Sequence, residues 1–357
     1  MDPTALIPTP NPVPVHPLWF EILLVATFVV HLLFMNTALG ATVVAVFSRD
    51  KGQKSLASSA AARDLSYKIP GTLALAVNFG VAPLLFLQVL YAQFFYPSSM
   101  MLAVYKLAVI ALVILAYYFL YIYDFKFNKL QGGKVFFSVA AALLLLAVGF
   151  FFTNNMTLMI TPERWFAHMD DSTGRFLNLG EPTLFPRFLH FMTASLAVGG
   201  LFTAILGARR TKRGDSYGET QTRTGMAWFA WATLAQVAVG LWFLITLPQD
   251  ILLLIMGGHW AFTVTFFAAM AGAVAALLFG FKRLVGPATG ALVFTVSVMA
   301  ILRHLVRTAY LEPFFRTSDL QVASQYSPLL LFLAALAVGL ILVAYMIKLA
   351  LRAAREG

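Results

Sequence analysis

Long apolar runs alternate with short polar segments along almost the whole chain. Nine of these runs are long enough to cross about 30 Å of hydrocarbon, given a helical rise of about 1.5 Å per residue. We therefore predict an all-α protein, a polytopic transmembrane helical bundle that forms a single membrane domain over residues 1–357. The predicted spans are 18–46, 69–95, 101–123, 134–154, 185–208, 224–247, 257–281, 285–309 and 328–350.

The polar segments between the predicted spans fall into two sets that differ in charge. One set is basic, at 47–68, 124–133, 209–223, 282–284 and the C-terminal tail. The other is acidic or mixed, at 155–184, 248–256 and 310–327. Since basic loops stay in the cytoplasm, the N-terminus is predicted outside and the C-terminus inside. An odd number of spans requires the same arrangement, and it makes the proline-rich residues 1–17 an extracytoplasmic arm.

The composition supports a membrane location and narrows the chemistry. The chain is 60% hydrophobic and only 11% charged, against about 25% charged residues in soluble domains. The net charge of +10 follows from the basic inner loops, so we expect contact with membrane lipid and no nucleic acid. With no cysteine, disulfides, zinc–thiolate sites, iron–sulfur clusters and covalent c-type haem are excluded. No G-x-G-x-x-G, Walker A or H-E-x-x-H motif occurs.

Four histidines lie within or at the ends of predicted spans, all towards the outer side. His190 is about five residues into the fifth span, and His31 is about 13 residues into the first. His259 opens the seventh span and His304 ends the eighth. Ionisable groups in a span are costly and indicate function, although a histidine can also simply bond a neighbouring helix. The remaining two, His16 and His168, are expected to be ordinary exposed residues.

Haem is the cofactor that best suits this distribution. Its iron accepts neutral imidazole without needing cysteine, and its apolar ring is buried between helices. Arg187, Arg303 and Arg307 are placed at the depth of His190 and His304, where they could pair with the haem propionates. We therefore predict His31, His190, His259 and His304 as axial ligands of the haem iron.

Short segments around these residues resemble subunit I of the cytochrome bd-type quinol oxidases. In the first span, H-x-L-F-x4-L-G beginning at His31 is similar to a segment with an axial haem histidine. The segments 78-NFGVAP-83 and 188-FLHFMTAS-195 resemble an F-G-V-A-T-G run and the stretch with the low-spin haem histidine, which implies that role for His190. The segment 303-RHLVR-307 resembles E-x-G-R, so His304 stands where a glutamate faces a high-spin haem and Arg307 stands at the arginine.

The chain also departs from the family pattern at three places. Its sixth and seventh spans are joined only by 248–256, so the long loop that helps to bind quinol is absent. Its third span has no glutamate for proton delivery, and its only charge is Lys106. Thr265 falls near the family's methionine ligand, so we predict His259 as the sixth ligand opposite His190. Met270 is the weaker choice because it lies deeper in the seventh span, further from its outer end.

The resemblance implies a multi-pass protein of the bacterial inner membrane that carries two or three haem b groups, one of which could equally be haem d. The first functional hypothesis is an electron-transfer subunit of a bd-like respiratory complex. It would assemble with other membrane subunits and exchange electrons with a partner such as a periplasmic c-type cytochrome. The second is an oxygen-reducing terminal oxidase subunit. The third is a membrane transporter or quinone-binding anchor without haem.

Overall fold

The computed structural model describes residues 6–47, 56–127, 129, 134–166 and 173–356. Helices make up most of this part, and one isolated bridge between Val13 and Val322 is the sole β pairing within it. The helices are α1 (Pro17–Phe47), α2 (Leu56–Met101), α3 (Ala103–Phe125), α4 (Lys134–Met159), α5 (Leu184–Lys212), α6 (Gly218–Ile245), α7 (Gln249–Leu253), α8 (Trp260–Phe281), α9 (Val285–Leu311) and α10 (Ser327–Glu356).

Nine of the described helices are long and apolar enough to cross a membrane, and they confirm the all-α multi-pass prediction. The largest difference is at the second span, predicted at 69–95, because α2 is helical over Leu56–Met101. Three prolines lie inside α2, and Tyr91 leaves the helical region with φ −133° and ψ 31°. Proline usually ends or kinks a helix, which explains why the pattern predicted a shorter element.

The helices form two groups that meet along α1 and α5. Helices α1 to α4 pack against one another, and α5, α6, α8 and α9 form the second group. Gly40 of α1 and Gly199 of α5 mark the junction. A Cβ built on Gly199 would lie 2.1 Å from the carbonyl carbon of Gly40. A Cβ built on Gly40 would lie 1.7 Å from the backbone carbonyl oxygen of Ser195. The two backbones are in direct contact here, and only glycine permits this approach.

The ends of the bundle are tied by polar contacts. We call the end with the α5–α6 turn the inner end, in keeping with the predicted topology. There Arg210 pairs with Asp64 at 2.9 Å and with Asp215 at 2.8 Å. The backbone N–H of Tyr217 donates to Asp215, and this bond, together with Arg210, lowers the pKa of the Asp215 carboxyl.

At the outer end, the N-terminal arm lies against the segment before α10. The N–H of Val13 donates to the Gln321 oxygen at 2.8 Å, and the N–H of Ala323 donates to the Val13 oxygen at 2.9 Å. The short α7 and a π-helical turn at Leu254–Gly258 connect α6 to α8 at the same end. Helix α10 lies apart from both groups, and its described residues are exposed along its length.

Candidate functional site

A cavity of about 240 Å³ lies inside the second helix group, between its helices and the adjoining faces of α1 and α4. Its walls are mostly apolar, and only a few polar side chains reach it. The polar and sulfur-bearing residues that line it are Asn36, Met156, Met159, Arg187, His190, Thr233, Gln236, Met270, Thr295, Met299, Arg303 and Arg307. The structure therefore brings His190 together with all three predicted arginines.

The three arginines form a cationic cluster at the outer part of the cavity, in which Arg187 and Arg307 are buried and Arg303 is half-buried. Arg187 and Arg307 are only 8% and 6% exposed. In the described part of the chain, no carboxylate lies within 4.0 Å of any of the three. Their guanidinium carbons instead lie over the rings of Phe243, Phe28 and Tyr91, at 5.1, 4.6 and 5.5 Å for Arg187, Arg303 and Arg307 respectively.

This cluster has unused hydrogen-bonding capacity. Nε and Nη2 of Arg187 and Nη1 of Arg307 are buried and have no hydrogen-bond partner among the described residues. Burying an unpaired cation is strongly unfavourable, and three adjacent cations also repel one another. The arrangement therefore suits a ligand with anionic oxygens at this end, such as a carboxylate, because guanidinium binds carboxylates through charge-assisted bonds.

His190 projects from α5 into the same cavity. A Cβ built on Gly240 of α6 would lie 3.2 Å from Cε1 and 3.3 Å from Nδ1 of its ring, so glycine gives the imidazole room to pack against the α6 backbone. Nδ1 is buried without a partner. The Phe243 ring lies 5.9 Å away between centroids. An imidazole held in an apolar cavity with an unpaired nitrogen is suited to ligate a metal centre.

Glycine contacts between the helices show which residues share the depth of His190. Gly200 of α5 touches Phe229 of α6, and Phe229 in turn lies against Gly280 of α8. These three residues therefore lie at one level. His190 is ten residues further out along α5 and Met270 is ten residues further out along α8, so both lie about 15 Å above it. The thioether of Met270 thus lines the cavity at the level of His190.

His259 lies well above that level. It precedes Met270 by 11 residues, which places it about 16 Å further out than Met270 along α8. It is exposed, it begins α8 as the N-cap residue, and its Nδ1 accepts from the N–H of Ala261 at 3.3 Å. It does not line the cavity. The structure therefore does not bring His259 and His190 together.

His31 lies at the corresponding position of the first helix group. It precedes Gly40 by nine residues, as His190 precedes Gly199 by nine. A Cβ on Gly80 of α2 would lie 2.8 Å from its Cε1, which repeats the contact of His190 with Gly240. Its Nδ1 lies 2.9 Å from the Ala76 carbonyl oxygen. Since a carbonyl only accepts, Nδ1 carries the proton and the lone pair is on Nε2.

His304 contacts a carboxylate rather than the cavity. Its Nε2 lies 3.8 Å from Oε2 of Glu21, and the hydroxyl of Thr317 donates to the other Glu21 oxygen. Nδ1 of His304 is buried without a partner. Glu21 is consequently a member of a polar cluster between α1 and α9 and not a purely interfacial residue beside Trp19.

Among the other polar residues considered, Lys106 of α3 is half-buried. Its Nζ donates to Oδ1 of Asn155 at 3.3 Å and lies 4.3 Å from the centroid of Phe95.

Two further histidines are present in the chain. His16 caps the start of α1, where Nδ1 accepts from the N–H of Leu18, and His168 lies outside the described residues. No group of three or more His, Cys, Asp or Glu side chains suited to a metal ion occurs among the described residues. A haem iron, however, needs only one or two protein ligands.

Sequence reasoning missed the internal relation between the two helix groups. The segments 31-HLLFMNTALG-40 and 190-HFMTASLAVG-199 share the histidine, one alanine and the terminal glycine, a signal too short to recognise without the structural contact of Gly40 and Gly199. The deeper polar residues Asn36 and Gln236 were also missed, because single amides in apolar helices carry no spacing pattern.

Comparisons with known proteins bear on the fold. No protein-family model matches the chain, and no curated protein matches it. Among solved structures, it is similar to a chain described as "The structure of bd oxidase from Geobacillus thermodenitrificans", with a TM-score of 0.68 and 14% sequence identity. The match covers 93% of this chain and 96% of that one, so the two are close in length. The protein therefore has a multi-pass membrane fold like that of a bd oxidase chain.

Proposed function

We propose that this protein is a haem-carrying electron-transfer subunit of a bd-like respiratory membrane complex. The observation that carries the proposal is the cavity in the second helix group, which is lined by an imidazole with an unpaired nitrogen, a thioether and three guanidinium groups without a carboxylate partner. The bd-oxidase-like fold supports the same class of protein. A bound haem would supply reversible one-electron transfer at its iron.

The residues present fit a haem group. Its ring is apolar and suits the walls of the cavity, while its two propionates are carboxylates that suit the cluster of Arg187, Arg303 and Arg307. The orphaned Nε and Nη atoms of Arg187 and Arg307 are the donors that such carboxylates require. A neutral ligand would leave this buried charge uncompensated.

We assign His190 and Met270 as the axial ligands of this haem. Both line the cavity at one level, whereas His259 lies about 16 Å further out. A histidine and a methionine that together held the iron would raise the reduction potential of the haem relative to two histidines. The sequence-based choice of His259 rested on the assumption that Met270 is too deep, and the interhelix glycine contacts argue against that assumption.

His31 is proposed as the ligand of a second haem in the first helix group. Metal-ligating histidines commonly donate their other ring nitrogen to a backbone carbonyl, and the bond from Nδ1 to Ala76 has this form. His304 is assigned instead as the partner of Glu21, because its Nε2 faces that carboxylate. With two sites assigned, the expectation is two haem b groups, and the subunit I-like role remains part of this proposal.

Assembly with other membrane subunits and electron exchange with a periplasmic c-type cytochrome complete the proposal. The outer position of the arginine cluster supports exchange at that face, since bound propionates would lie nearest the outer end. The connection between α6 and α8 at this end is short, at residues 248–259. A location in the bacterial inner membrane follows from the proposed complex.

The test is the haem content of the purified chain. We expect a Soret band and a pyridine haemochrome spectrum of haem b in the wild type. His190→Ala should lose one haem, His31→Ala should lose the other, and His259→Ala, the matched control, should keep both. Absence of any Soret band, or full haem retention in His190→Ala, would contradict the proposal. Carbon monoxide should leave the spectrum of the His190 haem unchanged, since a CO-induced shift requires an open axial position and would favour oxygen reduction.

A further inference from the structure

A second polar region lies at the inner part of the cavity, away from the arginine cluster. Its members are Asn36, Thr233, Gln236 and Thr295, which come from three helices and all line the cavity. Asn36 is four residues outward of Gly40, and Thr233 is four residues outward of Phe229. They therefore share one layer.

Gln236 and Thr295 belong to the same layer. Gln236 follows Thr233 by nearly one turn of α6. Thr295 lies at the level of Gly272, whose Cβ would meet the Thr295 hydroxyl at 2.5 Å, and Gly272 is two residues inward of Met270. The four residues consequently lie between about half a turn and just under two turns inward of the His190 level.

Hydrogen bonds within the protein leave this layer with unused acceptors. Thr233 donates its hydroxyl to the Phe229 carbonyl and Thr295 donates to the Ala291 carbonyl, each at 2.7 Å, so only the lone pairs of both hydroxyls remain. Oδ1 of Asn36 and Oε1 of Gln236 are buried and have no donor among the described residues. Asn36 is only 3% exposed, so bulk solvent does not satisfy it.

The chemistry of the layer selects the class of ligand. Acceptors that lack donors repel anions. No carboxylate lines the cavity, so a cation would have no counter-charge. A neutral occupant that brings hydrogen-bond donors, as water does, therefore fits these acceptors. The methyl and vinyl groups of haem b cannot donate, so a haem b bound at His190 would leave both amide oxygens unpaired.

We propose that Asn36, Thr233, Gln236 and Thr295 form a subsite for hydroxyl donors, which is filled by internal water at the inner edge of the cavity. Buried water typically bonds two to four polar groups, and this layer provides two unpaired amide oxygens and the remaining lone pairs of two hydroxyls. The subsite goes beyond the proposed haem function and does not require it, because its residues belong to the protein and not to the iron site. The other source of hydroxyl donors is a porphyrin that carries a hydroxyl substituent.

The test is X-ray radiolytic footprinting of the purified full-length chain, read by mass spectrometry. Hydroxyl radicals formed from bound water oxidise the buried side chains beside it. Met299 lines the cavity one turn from Thr295, whereas Met226 of α6 is fully buried and does not line it. We expect Met299 to be oxidised several times faster than Met226. This comparison needs no variant.

Two isosteric variants then test the carboxamides. Asn36→Leu and Gln236→Met should each reduce Met299 oxidation to the rate of Met226. Ser195→Ala is the matched control, because Ser195 is buried in the same layer, already donates to the Phe191 carbonyl at 2.9 Å and does not line the cavity. It should leave Met299 oxidation unchanged.

The remaining outcomes are decisive as well. Equal oxidation of Met299 in the wild type and in both carboxamide variants would overturn the subsite. If Met299 is not oxidised in the wild type, water is not the occupant. Mass spectrometry of the extracted pigment then distinguishes a porphyrin with a hydroxyl substituent from the absence of any hydroxyl ligand, and the second result overturns the subsite. The Soret spectrum, recorded on the same samples, reports the haem proposal separately, so failure of one does not imply failure of the other.

Discussion

A cluster of three guanidinium groups distinguishes this cavity from an ordinary packing defect. Packing voids in proteins are apolar and stay dry, whereas Arg187, Arg303 and Arg307 bring positive charge into a space without a paired carboxylate. Such a cluster is stable only if a ligand compensates the charge. The arginines, more than the histidine, therefore indicate a ligand that carries negative charge, as the propionates of the proposed haem do.

Substitution of one arginine should change the reduction potential of the bound haem. Arg307→Gln removes a positive charge that disfavours the oxidised, more positive haem, so the midpoint potential should fall. At an effective dielectric constant of about 20, the loss of a unit charge at a separation of about 10 Å corresponds to about 1.7 kcal/mol, or roughly 70 mV for one electron, so we expect a fall of tens of millivolts. Spectroelectrochemical titration measures the shift. Arg316→Gln, at an exposed ion pair with Glu312, is the control, and an equal shift in both variants would refute the assignment.

Gly80 should be required for the position of His31. In Gly80→Ala the new methyl group would lie within 3 Å of Cε1 and Nδ1 of the ring, so the imidazole must move away from Ala76. We expect a loss of about 1–3 kcal/mol in stability, typical of overpacking, and an altered spectrum of the haem assigned to His31. Gly71→Ala on the same helix, where the added methyl contacts nothing within 4 Å, should have neither effect. Thermal unfolding in detergent and visible spectra report both.

Helix α1 meets helix α5 backbone to backbone, and this contact positions both histidines. Gly199→Ala would place a methyl group 2.1 Å from a backbone carbon of Gly40, which no side-chain rotation can relieve. We expect a loss of at least the roughly 1–3 kcal/mol of an overpacked core, with weaker haem retention at both sites. Gly286→Ala in α9 has open space around it and should change stability by about 0.5 kcal/mol or less. Comparable thermal midpoints for the two variants would show that the contact between Gly40 and Gly199 tolerates an added methyl group.

The elements were predictable from hydropathy because each span is apolar over more than 20 residues, and all nine were found. The inner extension of α2 was not, because Arg63 and Lys68 resemble a loop and Pro70 resembles a helix boundary. In the structure Arg63 bonds Asp124 of α3 at 2.9 Å, a tertiary contact that no local pattern contains. The π-helical turn before α8 was missed for the same reason.

The site was predictable only in part. Histidines and arginines in apolar helices are visible in a sequence because they are costly there, and the structure does bring His190 and the three arginines together. Their partners were not predictable, because the depth of a residue in the bundle depends on how far each helix extends beyond the membrane. That register is set by interhelix contacts such as Gly200 with Phe229. Met270 therefore appeared too deep and His259 appeared suitable.

The two helix groups together enclose the cavity, whereas α10 contributes nothing to it. None of its residues lines the cavity, and it lies apart from both groups. The segment before it is different, since residues 321–325 bond the N-terminal arm. The described part of the molecule thus consists of the two helix groups, with the N-terminal arm at their outer end, and of α10, the ninth membrane-length helix, which lies apart from them.

Removal of α10 should therefore leave the cavity and the binding of the proposed haem intact. A chain that ends after Tyr326 keeps the arm contacts and every residue of the cavity wall, so we expect the same haem content and midpoint potential as in the full chain. A chain that ends after Arg316 also loses the segment 321–325 that bonds the arm, and it should unfold at a lower temperature. Haem content per protein and thermal unfolding distinguish the two truncations. Loss of the His190 haem in the longer one would mean that α10 packs against the bundle and helps to close the site.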